Sequence, residues 1–275
     1  MGLGVCMGKL KNAPVFYVVA QVTHSPILKL DSLIPDLQER LRKEGFPGYR
    51  AQKQNRVSFR VEDDTDAMLN SKIEQMEFTS HFFSKRDHSE SFVISPDNFF
   101  LQTVEYDTID VFKEMFATCI RAVQDILIPD SFTRIGLRFL DAVKPPAEGE
   151  LSRYIRTQFL GLQDTLDGDW LANYTFSETL LSRGDQQTKV RVITRSSALA
   201  MPPDLASIAP SLPARFSEIK GIHALLDSDA SFAVSEEKAQ EFRMDAILDR
   251  LSRLKQDISD SFQAVVTEAA LADWE

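Results

Sequence analysis

Cysteine and histidine are scarce in this 275-residue chain, with only Cys6, Cys119, His24, His81, His88 and His223. Two cysteines cannot build a zinc cluster, and the histidines share no ligand spacing, so a zinc centre would need residues from distant segments. So few cysteines fit a reducing cytoplasm better than an oxidising compartment. Long apolar runs are also missing. The run Val15 to Ala20 falls far short of the about 20 residues that a membrane-crossing helix needs, and it predicts a buried strand and no membrane association. Positive charge is in deficit, with 31 Lys and Arg against 41 Asp and Glu, a net −10. That balance argues against direct duplex nucleic-acid binding, which needs a basic field, and it favours a basic protein partner. The chain has no Gly-x-Gly-x-x-Gly, no Walker loop, no Gly-x-Ser-x-Gly and no His-Glu-x-x-His. The sequence therefore nominates no catalytic residue and no cofactor.

What is present reads as a globular protein. Apolar residues make up 43% and charged residues 26%, and the length suits one large or two smaller units. Met1-Gly2-Leu3-Gly4-Val5-Cys6 lacks the Ser or Thr that myristoylation wants where Cys6 stands, and it lacks a lipobox leader. Residues 1–9 are expected to be a disordered leader.

Val15 to Val22 predicts a strand, and Leu33, Leu37 and Leu41 then share one helical face that Gly45 and Pro47 close. Strands are expected over Arg56 to Val61, Met76 to Phe83, Phe92 to Ile94 and Phe99 to Tyr106, as an antiparallel meander. Thr108 to Leu127 is the clearest helix of this half, and Cys119 lies on its apolar stripe. Ser131 to Val143 opens a second half as a strand, with Ile135, Leu137 and Phe139 on one side. A helix is expected at Leu151 to Leu162. Tyr174 to Leu181 and Lys189 to Thr194 form a hairpin around Gly184. Met201 to Pro213 is an irregular surface loop, and Gly221 to Val234 is a strand region. A helix from about Glu237 to Ala264 carries Met244, Ile247, Leu251, Leu254 and Ile258 at helical spacing. That stripe serves either as core packing or as a coiled-coil-like dimer seam, so Leu251 and Leu254 are candidate self-association residues. The fold class is α+β: antiparallel sheets flanked by helices, with a long C-terminal helix. Each half (10–130 and 131–275) pairs strands with helices, which allows two similar lobes within one unit.

Arginines recur four apart in three predicted strands: Arg56 and Arg60, Arg134 and Arg138, Arg191 and Arg195. Residues i and i+4 of a strand point to one face. If the strands share a sheet, the guanidiniums could receive carboxylates or phosphates through paired hydrogen bonds. The alternative is solvation, or pairing with the chain's own acids such as Glu77, Glu105, Asp107 and Asp141. Asp227 and Asp229, on one side of a strand, are candidate Mg²⁺ or Mn²⁺ ligands.

Three segments carry a resemblance. They are Leu10-Lys11-Asn12-Ala13-Pro14-Val15, Arg134-Ile135-Gly136-Leu137-Arg138-Phe139, and Val266-Thr267-Glu268-Ala269-Ala270-Leu271-Ala272-Asp273-Trp274. In order and spacing they resemble a sporadically distributed, functionally uncharacterised bacterial family. The resemblance implies a single-unit protein without an agreed catalytic residue, in neighbourhoods that include toxin-immunity and anti-phage systems. Leu271 and Trp274, at a terminus that would otherwise fray, are expected to dock on the body or on a partner. The first functional expectation is a non-catalytic, macromolecule-binding accessory protein. The alternative is a binder or hydrolase of a phosphate-containing small molecule at the arginine face.

Overall fold

The computed structural model describes residues 10–60, 72–145, 150–162, 170 and 173–275, without the side chains of 55–60 and 72–76. The expected leader and Cys6 lie outside the described residues. In chain order the elements are β1 (Val15–His24), α1 (Leu30–Lys43), β2 (Gly48–Arg60), β3 (Lys72–Ser84), β4 (Glu90–Ser95) and β5 (Asn98–Thr103). The long helix α2 (Ile109–Ile126) leads into β6 (Ser131–Val143). Then come β7 (Tyr174–Arg183), β8 (Gln186–Ser196), α3 (Ala214–Ser217), β9 (Ile222–Ala233), β10 (Gln240–Glu241), α4 (Met244–Val265) and α5 (Glu268–Trp274).

The fold is α+β, and the strands form one ten-stranded sheet in the order β2-β3-β4-β5-β1-β6-β9-β8-β7, with β10 beside β6. The pairings along it are antiparallel. Both halves are wired alike. Each opens with a strand, β1 or β6, and a later meander brings β5 or β9 back beside it. A long helix then follows, α2 or α4. The two opening strands pair with each other at the sheet centre, so both halves share one sheet.

Strand alternation sends Val18, Ala20, Val22, Ile135, Leu137 and Phe139 to one face, where the apolar stripes of α1, α2 and α4 close over them. Leu251 and Leu254 are fully buried there, so the α4 stripe is spent on packing within the chain. Thr108 caps α2 by accepting from the Val111 amide. On the far side of the same face, Trp274 of α5 packs against Phe262 and Tyr154, and Leu271 is partly buried beside them. The Trp274 carbonyl accepts from the Asn12 amide at 3.0 Å, which ties the last helix to the entry of β1. The terminus therefore docks on the body.

The opposite face holds a smaller core of Tyr17, Leu140, Ile193 and Leu225, covered by Leu199, Leu205, Phe216 and Ile219. The segment expected as a surface loop is thus partly an apolar cover. The Gln102 amide fastens it, donating to the Ile208 carbonyl (2.8 Å) and accepting from the Tyr17 hydroxyl (2.7 Å).

Two expected helices differ. Leu151 to Leu162 holds two single 3-10 turns, Leu151–Arg153 and Thr157–Phe159. Between them Ile155 bridges to Val266 and the Arg156 amide donates to Val265, which draws the backbone out straight. The last long helix starts at Met244 rather than Glu237, because Gln240 and Glu241 pair with the start of β6 instead.

Candidate functional site

Strand register decides the fate of the arginines. Arg134 and Arg138 of β6 and Arg191 and Arg195 of β8 stand on the sheet face opposite the long helices, with Asp227 and Asp229 of β9 between the two strands. Arg56 and Arg60 belong to β2, at the far edge of the sheet, and their side chains lie outside the described residues.

The four described guanidiniums are not equivalent. Arg138 is buried and grips Asp227 with both Nε (2.7 Å) and Nη2 (2.8 Å), while Nη1 reaches Asp204 at 2.5 Å. Burial opposes its charge, but the bonds to Asp227 and Asp204 prevail and hold its pKa above the ordinary arginine value. Arg191 bonds Glu178 at 2.7 Å and Asp227 at 3.1 Å. Arg134 donates to Gln21 (2.9 Å) and lies over Gly136, where a Cβ would stand 2.9 Å from its Nη1. Arg195 leaves a buried Nε without a hydrogen-bond partner among the described residues.

The chain's own acids thus neutralise the two central arginines, though through Asp227, Asp204 and Glu178 rather than the four acids named from the sequence. Asp227, a candidate metal ligand, already accepts from two guanidiniums. Asp229 is mostly buried; burial raises its pKa, against the pull of Arg138, Arg134 and Lys189. Among the described residues no group of three His, Cys, Asp or Glu could hold a metal ion. A shallow pocket of about 280 Å³ does lie on this face, lined by Arg134, Arg138, Asp204 and Asp229. Its charges alternate in sign, which suits no simple anion.

A larger cleft of about 530 Å³ opens on the helical face, between the start of α2, the second half of α4 and the entry to β1. Its floor is Asp141, next in the alternation after Ile135, Leu137 and Phe139, and only 5% exposed. Among the described residues no hydrogen bond or ion pair reaches its carboxylate. Burial pushes its pKa up to about 7, against a modest pull from Lys255. Burial likewise lowers Lys255, which donates to Ser259 at 2.5 Å and lies 5.2 Å from the centre of the Phe139 ring. Tyr106 stands edge-on to Phe139 at 5.0 Å, and burial raises its phenol above the ordinary range. Sequence reading passed over this site. The signal was an aspartate at a core position of a strand, and a lysine inside the α4 stripe between Leu254 and Ile258.

The third feature is an edge. β7 pairs only with β8 among the described residues. Tyr174, Phe176, Leu180 and Leu181 are half exposed or more, and every residue from Glu178 to Arg183 is exposed. The register to β8 runs from Tyr174 to Arg183 without a bulge. The other outer strand, β2, carries Arg50, Gln52, Lys53 and Gln54 instead. Charged residues on an edge discourage further strand pairing, and a regular apolar edge invites it.

No described helix is long and apolar enough to cross a membrane. Comparison with protein-family models, curated proteins and solved structures finds no match.

Proposed function

We propose that this chain is a non-catalytic, cytoplasmic binding protein that accepts an extended segment of a basic protein partner along β7. One observation carries the reading: the two edges of the sheet are treated differently. The described side chains of β2 are mostly polar or charged, whereas β7 presents ten regular residues in which Tyr174, Phe176 and Leu180 on one face and Leu181 on the other accompany Glu178 and Arg183. Strand addition to such an edge draws affinity from main-chain hydrogen bonds and specificity from alternate side chains. Tyr174, Phe176 and Leu180 share one face by their pairing to β8 and would receive apolar residues of the added strand. The net charge of −10 favours a basic partner and speeds its capture at low salt. Holding a partner in this way is the work of an accessory or immunity component, including those of toxin-immunity and anti-phage systems. The arginine face supports the small-anion alternative less well, because Arg138 and Arg191 are already neutralised.

The test is co-purification of tagged protein from its own cells at low salt, beside the variant Phe176→Lys/Leu180→Lys. The expected result is one basic protein retained by the native chain and lost from the variant, with melting unchanged. Recovery of the chain alone, retention of the same protein by the variant, or recovery only of a second copy of the chain would overturn the reading.

A further inference from the structure

Asp141 and Lys255 line one cleft; Asp141 is buried, Lys255 is half-buried, and each feels the charge of the other. No salt bridge or hydrogen bond closes between them; Lys255 donates to Ser259 instead. A charge taken out of water is costly unless a group of opposite sign touches it. Asp141 carries such a charge, and with the half-buried Lys255 it lines an open space of about 530 Å³. That volume is within the range of small-molecule sites. The occupant such a space fits has a cationic donor at one end and an anionic acceptor at the other.

We propose that the cleft between α2 and α4 binds a small zwitterion of the amino-acid type, its ammonium on Asp141 and its carboxylate on Lys255.

The other charged groups facing the cleft favour this over a singly charged ligand. Asp110 at the start of α2 stands with Asp141, against Lys113 of α2 and Lys255 of α4. A simple anion would meet the Asp141 and Asp110 carboxylates. A simple cation would leave the Lys255 ammonium uncompensated, since Lys113 is already engaged with Ser252 at 2.7 Å. The Tyr106 hydroxyl has no hydrogen-bond partner among the described residues and can serve the ligand as well. Ile109, Phe139, Ile258 and Phe262 supply apolar wall, which selects a bulky apolar side chain. An ammonium needs Asp141 ionised, so affinity falls as the pH drops through about 7. Asp107, Asp110, Lys113, Lys255 and Tyr106 are the groups facing Asp141 in that titration.

Calorimetry and thermal shift at pH 8 with the free L-amino acids test the proposal on the intact chain. For each that binds, the N-acetyl derivative removes the ammonium and the amide removes the carboxylate. The expected result is saturable binding of one or more amino acids with bulky apolar side chains, and at least tenfold weaker binding of both derivatives. Asp141→Asn and Lys255→Met should each weaken the amino acid at least tenfold while the protein stays folded, because the first removes a buried charge without a hydrogen-bond partner among the described residues and the second alters a half-buried side chain. The proposal is overturned if no amino acid binds up to millimolar concentration, if either derivative binds as well as its parent, or if binding survives both substitutions. None of these outcomes depends on what β7 holds.

Discussion

Arg138 and Asp227 meet diagonally across β6 and β9 in a two-pronged ion pair, with the guanidinium Nε and Nη2 on separate carboxylate oxygens at 2.7 and 2.8 Å. Both side chains are nearly inaccessible to water. Replacing Arg138 by Met leaves the buried Asp227 carboxylate with Arg191 alone. Removing one partner of a buried pair costs roughly 3–5 kcal/mol. Urea unfolding of Arg138→Met should show a loss of that order. Adding Asp227→Leu should recover part of it, since the stranded charge is then gone.

The arginine cluster also shows what a sequence can and cannot disclose. Spacing of four along a strand placed Arg134 with Arg138, and Arg191 with Arg195, on a common side, because strand side chains alternate with a period of two. Which strands are neighbours is a matter of long-range pairing, so the partners Asp227, Asp204 and Glu178 were out of reach. The helix stripes of α2 and α4 and the strand patterns of β1 and β6 were legible because apolar periodicity dictates them locally. The stretch Leu151 to Leu162 was not, because a bridge from Ile155 to the distant Val266 overrides its helical pattern. Asp141 was in view as a possible arginine partner. Its place on the helical face, opposite Lys255, depends on how α4 crosses the sheet.

Asp141 gives a stability prediction with a definite sign. Its folded pKa, about 7, lies above the ordinary value of 3.8, so the folded chain holds a proton that the unfolded chain releases. Stability is therefore lost as the pH rises from about 4 to about 7, and it levels off above that. The difference in pKa corresponds to at most about 4 kcal/mol. Asp141→Asn should match the native chain near pH 4 and exceed it by up to that amount at pH 8. Denaturant melts across this range check it, and a constant difference would count against a lone buried carboxylate.

Leu251, Leu254 and Trp274 were candidates for self-association and lie in the packed interior instead. Leu251→Ala and Leu254→Ala should each cost about 2–5 kcal/mol, and Trp274→Ala about 3–5 kcal/mol. Light scattering should find the mass of the folded particle unaltered by all three. A fall in mass would mean that these side chains join two copies.

Cys119 is buried in the α2 stripe, and burial raises its thiol pKa well above the ordinary range. In a Cys6→Ser background the folded protein should resist an aromatic disulfide reagent, and labelling should appear only with unfolding. Fast labelling of the folded chain would show that α2 opens locally.

The binding role of β7 is tested most directly by hydrogen exchange on the isolated chain and on the complex recovered with its partner. Amides from Tyr174 to Arg183 that face away from β8 should exchange quickly in the free chain and be protected in the complex, while β2 stays as it was. Unchanged exchange along β7, with protection arising on another surface, would contradict the account.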